Sequence, residues 1–153
     1  MDVRDFLPPN MRNRAMEFFT YGVDTLPLGA LARVSSNITV QNDADFVLMG
    51  ARARVDDPAA GVAVAIADPP ITVQVSNTGT QQLQSQPVPL ATFFATGTAP
   101  GAASGIGGNL PVPYVFKAGS TIGTTLVSLD AALTYDVRLA YIGIKVYYFE
   151  WNV

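Results

Sequence analysis

From Ser36 onward, apolar and polar side chains alternate in short runs that Gly, Pro, Asn and Asp residues separate. The clearest run is "ITVQVSN", in which Ile71, Val73 and Val75 share one face. Because successive side chains of a strand point to opposite faces, a period of two indicates half-buried β-strands. Seven or eight such runs predict an all-β chain, folded as an antiparallel jelly-roll-like β-sandwich.

The same pattern places the other strands. In "DFVLMGARARV" (Asp45–Val55) the arginines alternate with apolar residues predicted to share one face: Val47, Met49, Ala51, Ala53 and Val55. Further strands are predicted at Gly61–Ala67, Gln86–Phe94, Tyr114–Phe116 and Thr121–Leu129. The prolines of Gln86–Phe94 suit an edge strand, since proline cannot donate to a sheet.

The last predicted strand, Tyr135–Trp151, differs from the others because both of its faces are apolar. One face carries Val137, Leu139, Tyr141, Tyr147 and Phe149, and the other carries Ala140, Ile142, Ile144, Val146 and Tyr148. Apolar residues on both faces indicate a strand that is central or covered on both sides. Gly143 within it predicts a bulge or a bend.

Residues 1–35 differ in composition from the rest, and we divide the chain into an N-terminal arm (1–35) and a β-sandwich domain (36–153). Two prolines before Asn10 indicate a helix entry, and Gly22 can end the helix. The apolar residues between them recur at helical spacing: Met11, Ala15, Phe18 and Phe19. This predicted helical arm packs either on its own domain or on a neighbouring subunit, and the sequence leaves both open.

Few charges lie along the chain: they make up 14% of residues, and Asp68 is the only one between Asp57 and Lys117. Because mixed surface charge resists association, this scarcity favours a surface buried against partner proteins. The cations form no basic cluster, so nucleic acid is not an expected partner. No apolar run is long enough for a membrane helix, and no export signal is recognisable, so we expect no membrane partner.

No catalytic signature is present, and we expect a protein that is not an enzyme and has no cofactor. The chain has no histidine and no cysteine, which excludes imidazole catalysis and thiolate metal sites. The glycine-rich stretch "GTAPGAASGIGGN" lacks the Gly-Lys-Ser/Thr end of a phosphate-binding loop. The only glutamates, Glu17 and Glu150, form no evident acid/base couple.

Two pairs of aspartates have oxygens that a hard cation such as calcium prefers: Asp43 with Asp45, and Asp56 with Asp57. Neither pair has calcium-loop spacing with a terminal glutamate, so we interpret both as turn-forming acids at strand ends. The chargeless segment Gly97–Asn109 is a longer loop than domains usually contain. Such a loop is either functional or disordered, and composition does not decide between the two.

Two stretches together resemble a known class of proteins. "QVSNTGTQQLQSQPVPLATFFATG" is followed by "LPVPYVFKAGSTIGTTLVSLDAALTYDVRLAYIGIKVY", with a pattern PxPYxFxAGSTI and a late Gly-x-Lys. This pattern, over about half the chain (Ile71–Tyr148), resembles small structural proteins of tailed bacteriophages that act as cement or decoration proteins on the head. The arm is outside the resemblance.

The resemblance implies a non-enzymatic virion protein on the capsid surface, made in the host cytoplasm. Its implied partners are the major capsid protein, between whose capsomers it binds, and further copies of itself in a homodimer or homotrimer. Alternatives are a tail, baseplate or head–tail joining protein, and a carbohydrate-binding receptor module that uses aromatics such as Tyr114 or Trp151. The candidate interface residues are Phe6, Met11, Arg12, Phe18, Phe19, Gly101, Ile106, Leu110, Tyr148 and Trp151.

Overall fold

The structure of the chain is a computed structural model that describes residues 2–60, 66, 68–96 and 109–150. Its strands are β1 Arg14–Leu28, β2 Arg33–Thr39, β3 Ala44–Asp56, β4 Ile71–Asn77, β5 Gln81–Gln82, β6 Val88–Pro89, β7 Ala95–Thr96, β8 Asn109–Phe116, β9 Thr121–Ser128 and β10 Tyr135–Glu150. Its helical elements are one α-helical turn, α1 Leu90–Phe93, and 3-10 turns at Val3–Phe6, Pro9–Met11 and Pro58–Ala60.

These strands form two five-stranded sheets. The first has the order β1-β10-β3-β7, with β8 also paired to β3, and the second has the order β2-β9-β4-β5, with β6 also paired to β4. All pairs are antiparallel except β3 with β7. The all-β prediction is confirmed, while the jelly-roll connectivity stays a prediction.

One core lies between the sheets. Phe46 and Tyr141 come from the first sheet, Ile122 and Leu126 come from the second, and all four are fully buried. The Tyr141 hydroxyl also hydrogen bonds to the hydroxyl of Thr124 on β9, which joins the two sheets through their side chains. The sheets therefore face each other across a shared apolar layer, as the predicted sandwich requires.

Several predicted strands are confirmed nearly to the residue. Strand β4 has the predicted bounds, and β9 and β10 begin at the predicted residues. The bulge predicted at Gly143 is also confirmed, because the pairing of β10 with β3 shifts register between Ile142 and Gly143. The predicted strand Gly61–Ala67 lies almost wholly outside the described residues.

The predicted helix at residues 11–22 is wrong, because Arg14–Leu28 forms a strand instead. Strand β1 pairs along β10, with Phe18 opposite Ile144 and Tyr21 opposite Tyr141. Aromatic and β-branched residues fit a pleated surface, and cross-strand packing overrode a helical spacing of apolar residues. The division of the chain at residue 35 stays a prediction.

Two other strand predictions need correction. Val47 does not share the core face of Ala51, because the register of β3 shifts between Leu48 and Gly50 and turns the first half of the strand over. The segment predicted as the edge strand Gln86–Phe94 keeps only the two residues of β6 before α1 begins. The strand is short because each proline removes a backbone hydrogen-bond donor.

The N-terminal turns pack against the outer face of the first sheet, the face opposite the core. Leu7 and Met11 are each 2% exposed and form a second apolar cluster with Val47 and Val146. The outer face of β10 is thus covered at one end by the start of the same chain. The prediction that this strand is central or covered on both sides is confirmed, because β10 lies between β1 and β3 and both of its faces are covered at this end.

Candidate interaction surface

The rest of the outer face carries apolar side chains that nothing in the described chain covers fully. Met16 faces Val146 and Phe18 faces Ile144 across the β1–β10 pair, so all four lie on the side opposite the core. Phe18 is 70% exposed and Tyr148 is 53% exposed. We call this set the outer apolar surface: Met16, Phe18, Ile142, Ile144 and Tyr148.

The N-terminal turns border the outer apolar surface and hold their own shape by local bonds. The Asp2 carboxylate accepts a hydrogen bond from the Arg4 backbone N–H, and the Arg12 Nε donates to the Leu7 carbonyl oxygen at 3.1 Å. Leu7 and Met11 anchor the segment, whereas Phe6 stays 40% exposed. The segment thus adds an exposed aromatic ring, that of Phe6, beside the outer apolar surface.

A buried carboxylate fixes the position of Tyr148. Asp45 is 1% exposed, and its oxygens accept hydrogen bonds from the Tyr148 hydroxyl at 2.7 Å, the Ala118 N–H at 2.9 Å and the Lys117 Nζ at 3.0 Å. Burial raises the pKa of Asp45, but these three donors together outweigh it and hold the pKa below the ordinary value. The ring of Tyr148 lies under the Arg14 guanidinium at 5.5 Å.

This arrangement predicts how stability depends on pH. Since the Asp45 pKa is lower in the folded state, its contribution is present above the unfolded pKa and is lost as pH falls through the folded pKa. Asp45→Asn, which removes the charged acceptor, should cost about 1–3 kcal/mol at pH 7. In urea unfolding at pH 7 and pH 3, the difference between wild type and variant should shrink at pH 3. The exposed Asp68 supplies the control, Asp68→Asn, which should follow the wild type at both pH values.

On the core-facing side of the β1–β10 pair, a cluster of polar and aromatic side chains lies beyond the end of the apolar core. The Lys145 side chain is 4% exposed, lies over the Phe19 ring at 4.3 Å, donates to the Gln41 side-chain oxygen and pairs with Asp43 at 3.3 Å. The Tyr147 hydroxyl donates to Glu17 at 2.5 Å, and this bond raises the Tyr147 pKa to about 12. These groups satisfy one another, so they brace the end of the sheet.

Phe149 extends this end outward. Its ring stacks on Tyr147 with centroids 5.2 Å apart, and the side chain is 60% exposed. Aromatic residues contribute strongly at the centres of protein interfaces. Phe149 is not among the predicted interface residues, although its position in a strand that is apolar on both faces could have indicated it.

The predicted interface residues separate into three groups. Phe6, Phe18 and Tyr148 are exposed on or beside the first sheet. Met11 is buried, Phe19 and Leu110 are half-buried against the main core, and Arg12 is bonded within the N-terminal turns. The remaining three, Gly101, Ile106 and Trp151, lie outside the described residues.

The carbohydrate-binding hypothesis requires an exposed Tyr114 ring, but the Tyr114 side chain is held by neighbouring residues. Its hydroxyl donates to Gln81 and accepts from Asn77, and its ring packs edge-on against Phe116 at 4.8 Å. The side chain is half-buried, so it presents no open ring face comparable to that of Phe18. Stacking on a sugar needs such a face.

Within residues 2–60, 66, 68–96 and 109–150, no three acidic side chains gather as potential metal ligands. No helix of this part of the chain is both long and apolar enough to cross a membrane.

Comparison with models of known protein families finds no match, and comparison with curated proteins finds none either. Among solved structures, a chain of the cyanophage Pam1 capsid asymmetric unit is similar to this one with a TM-score of 0.42 and 16% identity. The alignment covers 88% of this chain and 86% of that chain.

Proposed function

We propose that the protein is a non-enzymatic structural protein of a bacteriophage virion, and that it cements the head by binding between capsomers of the major capsid protein. The observation that supports this most is the outer apolar surface, where a phenylalanine is 70% exposed on a strand edge. Large exposed apolar patches mark sites where proteins meet. The sequence resemblance to head decoration proteins supplies the identity of the partner.

The framework beneath the surface suits a repeated rigid contact. Tyr148 is held by a buried carboxylate, and β10 lies between β1 and β3 along most of its length. Side chains that are already ordered lose less conformational entropy when a partner binds. A cement protein needs this property because the same contact is made at many equivalent places on one particle.

A tail, baseplate or head–tail joining protein is the alternative within the virion. It would use the same apolar surface and differ only in the particle to which the protein binds. Binding to purified heads and to purified tails of the parent phage, followed by cryo-electron microscopy, separates the two locations. Protein density on tails with bare heads would contradict the cement proposal.

The contact surface is tested by Phe18→Ser. Since the ring is 70% exposed, the variant should fold normally but bind emptied heads roughly tenfold or more weakly, as for an aromatic residue at the centre of an interface. The measurement is a cosedimentation titration with heads, and far-ultraviolet circular dichroism checks the fold.

Leu129→Ser is the matched control, because Leu129 is 61% exposed and follows β9 in the second sheet. It should bind heads as well as the wild type. A loss of binding in Leu129→Ser with none in Phe18→Ser would show that the outer apolar surface is not the contact.

A further inference from the structure

Strand β1 ends the first sheet, and its fifteen residues make it a long edge. Among the described residues it pairs with one strand, β10, and the side away from β10 has no strand beside it. We propose that this edge pairs with the same edge of a second copy of the chain, antiparallel and about a two-fold axis through Phe19. The two first sheets then join into one continuous sheet. This inference concerns how copies meet and holds whether or not the virion assignment is correct.

The hydrogen-bonding pattern limits how two copies can pair. Backbone groups of only every second residue of β1 point away from β10. In an antiparallel pair, those residues must face the equivalent residues of the other copy. Because both strands have the same sequence, the numbers of two facing residues must therefore add to an even number within Met16–Val23, the stretch of β1 that pairs with β10 without a register shift.

The charges of β1 then select one register. The strand carries Arg14, Glu17 and Asp24. Arg14 and Asp24 lie just beyond the two ends of the regular stretch, next to the register shifts, and are the only opposite charges of β1 that a register obeying this rule brings together. In that register each Arg14 faces the Asp24 of the other copy, and no like charges face each other. Self-complementary charge of this kind is what a two-fold interface requires.

The side chains between these pairs fit the same register. Phe19 faces Phe19 at the axis, Phe18 faces Thr20, and Met16 faces Gly22. Gly22 has open space on its own chain, where the nearest atom to an added Cβ lies 4.0 Å away. Each exposed Phe18 ring thus lies beside a small residue of the other copy and reaches the open surface around its Gly22. Aromatic side chains contact both the facing and the diagonal neighbours across a strand pair.

An exposed strand edge of this length is otherwise a hazard, because it can template pairing with any extended chain. Natural edges are often protected by lysine or proline. In β1 the one proline, Pro27, lies near the end of the strand, and no lysine is present. The register shifts of β1 lie at the ends of this span, so Met16–Val23 forms a regular edge with no other strand beside it among the described residues.

The test uses the absence of cysteine from the chain. Phe18→Cys and Thr20→Cys are made separately, at two exposed positions where the fold tolerates change. Under mild oxidation, each variant alone should stay largely unlinked, because position 18 faces position 20. An equimolar mixture of the two should form the disulfide-linked heterodimer, since facing residues bring their Cβ atoms to about 5 Å. Phe19→Cys alone should form a linked homodimer.

The wild-type mass by analytical ultracentrifugation should be that of two copies. Arg14→Asp and Asp24→Arg should each weaken the dimer roughly tenfold or more through facing like charges, and the double reversal should restore it. A monomer or a trimer, equal linking in the single variants and in the mixture, or no rescue by the double reversal would overturn the proposal. Head binding is measured separately, so a monomer that still binds heads refutes only this inference.

Discussion

Replacing Gly143 with alanine should destabilise the protein by about 3 kcal/mol or more, because the added methyl group has no space. A Cβ at this position would overlap the carbonyl oxygen of Val47 and lie 2.9 Å from Cζ of Phe46. Phe46 is fully buried, and Val47 is paired on both sides, with Ile144 of β10 and Val115 of β8. The Val47 carbonyl cannot move without disturbing these strand pairs, and the Phe46 ring has no free space beside it because it is fully buried.

Gly22→Ala is the control for Gly143→Ala, because Gly22 lies in the strand beside β10 and has no atom closer than 4.0 Å to an added Cβ. It should change stability by less than about 1 kcal/mol. A small gain in stability is expected, because alanine lowers the conformational entropy of the unfolded chain. Urea midpoints at pH 7 compare the two variants. Equal midpoints would mean that the register shift at Gly143 relaxes to accept a side chain.

The second sheet was the easier one to predict from the sequence. In β4 each apolar residue lies in the core and each polar residue lies outside, so the alternation alone fixes the strand and its orientation. Strand β9 follows this alternation less closely, because Ile122 and Leu126 share the core face with the buried hydroxyl side chains of Thr124 and Ser128. Its turn from β8 carries Gly119 at a φ of +76° that glycine adopts readily. Local pattern and tertiary structure agree in β4, where the predicted bounds are correct, and β9 ends one residue before its predicted end.

The first sheet was harder to predict because its outer face is also apolar. In β1, Phe18 points outward and Phe19 points inward, so two adjacent aromatic residues give no clean period of two. Together with Met11 and Ala15, these two residues have the spacing of a helical apolar face. The segment is recognised as a strand only from its pairing with β10. Such pairing joins residues more than a hundred positions apart, and a local pattern carries no information about it.

The outer apolar surface could be predicted only in part for the same reason. Phe18 and Tyr148 were selected as interface residues, and both are exposed. Met11 was selected by the same reasoning, yet it fills the cluster with Leu7 and Val146. Whether an apolar residue outside the main core is covered by its own chain depends on the path of the N-terminal turns. That path is set by tertiary contacts that the residue type does not encode.

Phe94→Ala should cost about 3–5 kcal/mol, the range for removing a fully buried aromatic ring. The Phe94 ring is 0% exposed, and its centroid lies 5.6 Å from that of Tyr141 in an edge-on contact. Tyr141 also bonds to Thr124 of the opposite sheet, so an empty volume beside it loosens the contact between the sheets. Urea unfolding measures the loss.

Two further variants test whether the stability lost in Phe94→Ala comes from the cavity or from a change in the local backbone. Phe93→Ala changes the adjacent residue, which ends α1 and is only half-buried, so it should cost less than half as much. Phe94→Leu refills most of the volume and should recover a large part of the stability, because the cost of a core truncation grows with the cavity that remains. If instead Phe94→Leu were as unstable as Phe94→Ala, the ring's edge-on contacts with Tyr141 and Phe93 would outweigh its volume. If Phe93→Ala and Phe94→Ala lost the same stability, the loss would come from the α1 turn and not from a core cavity.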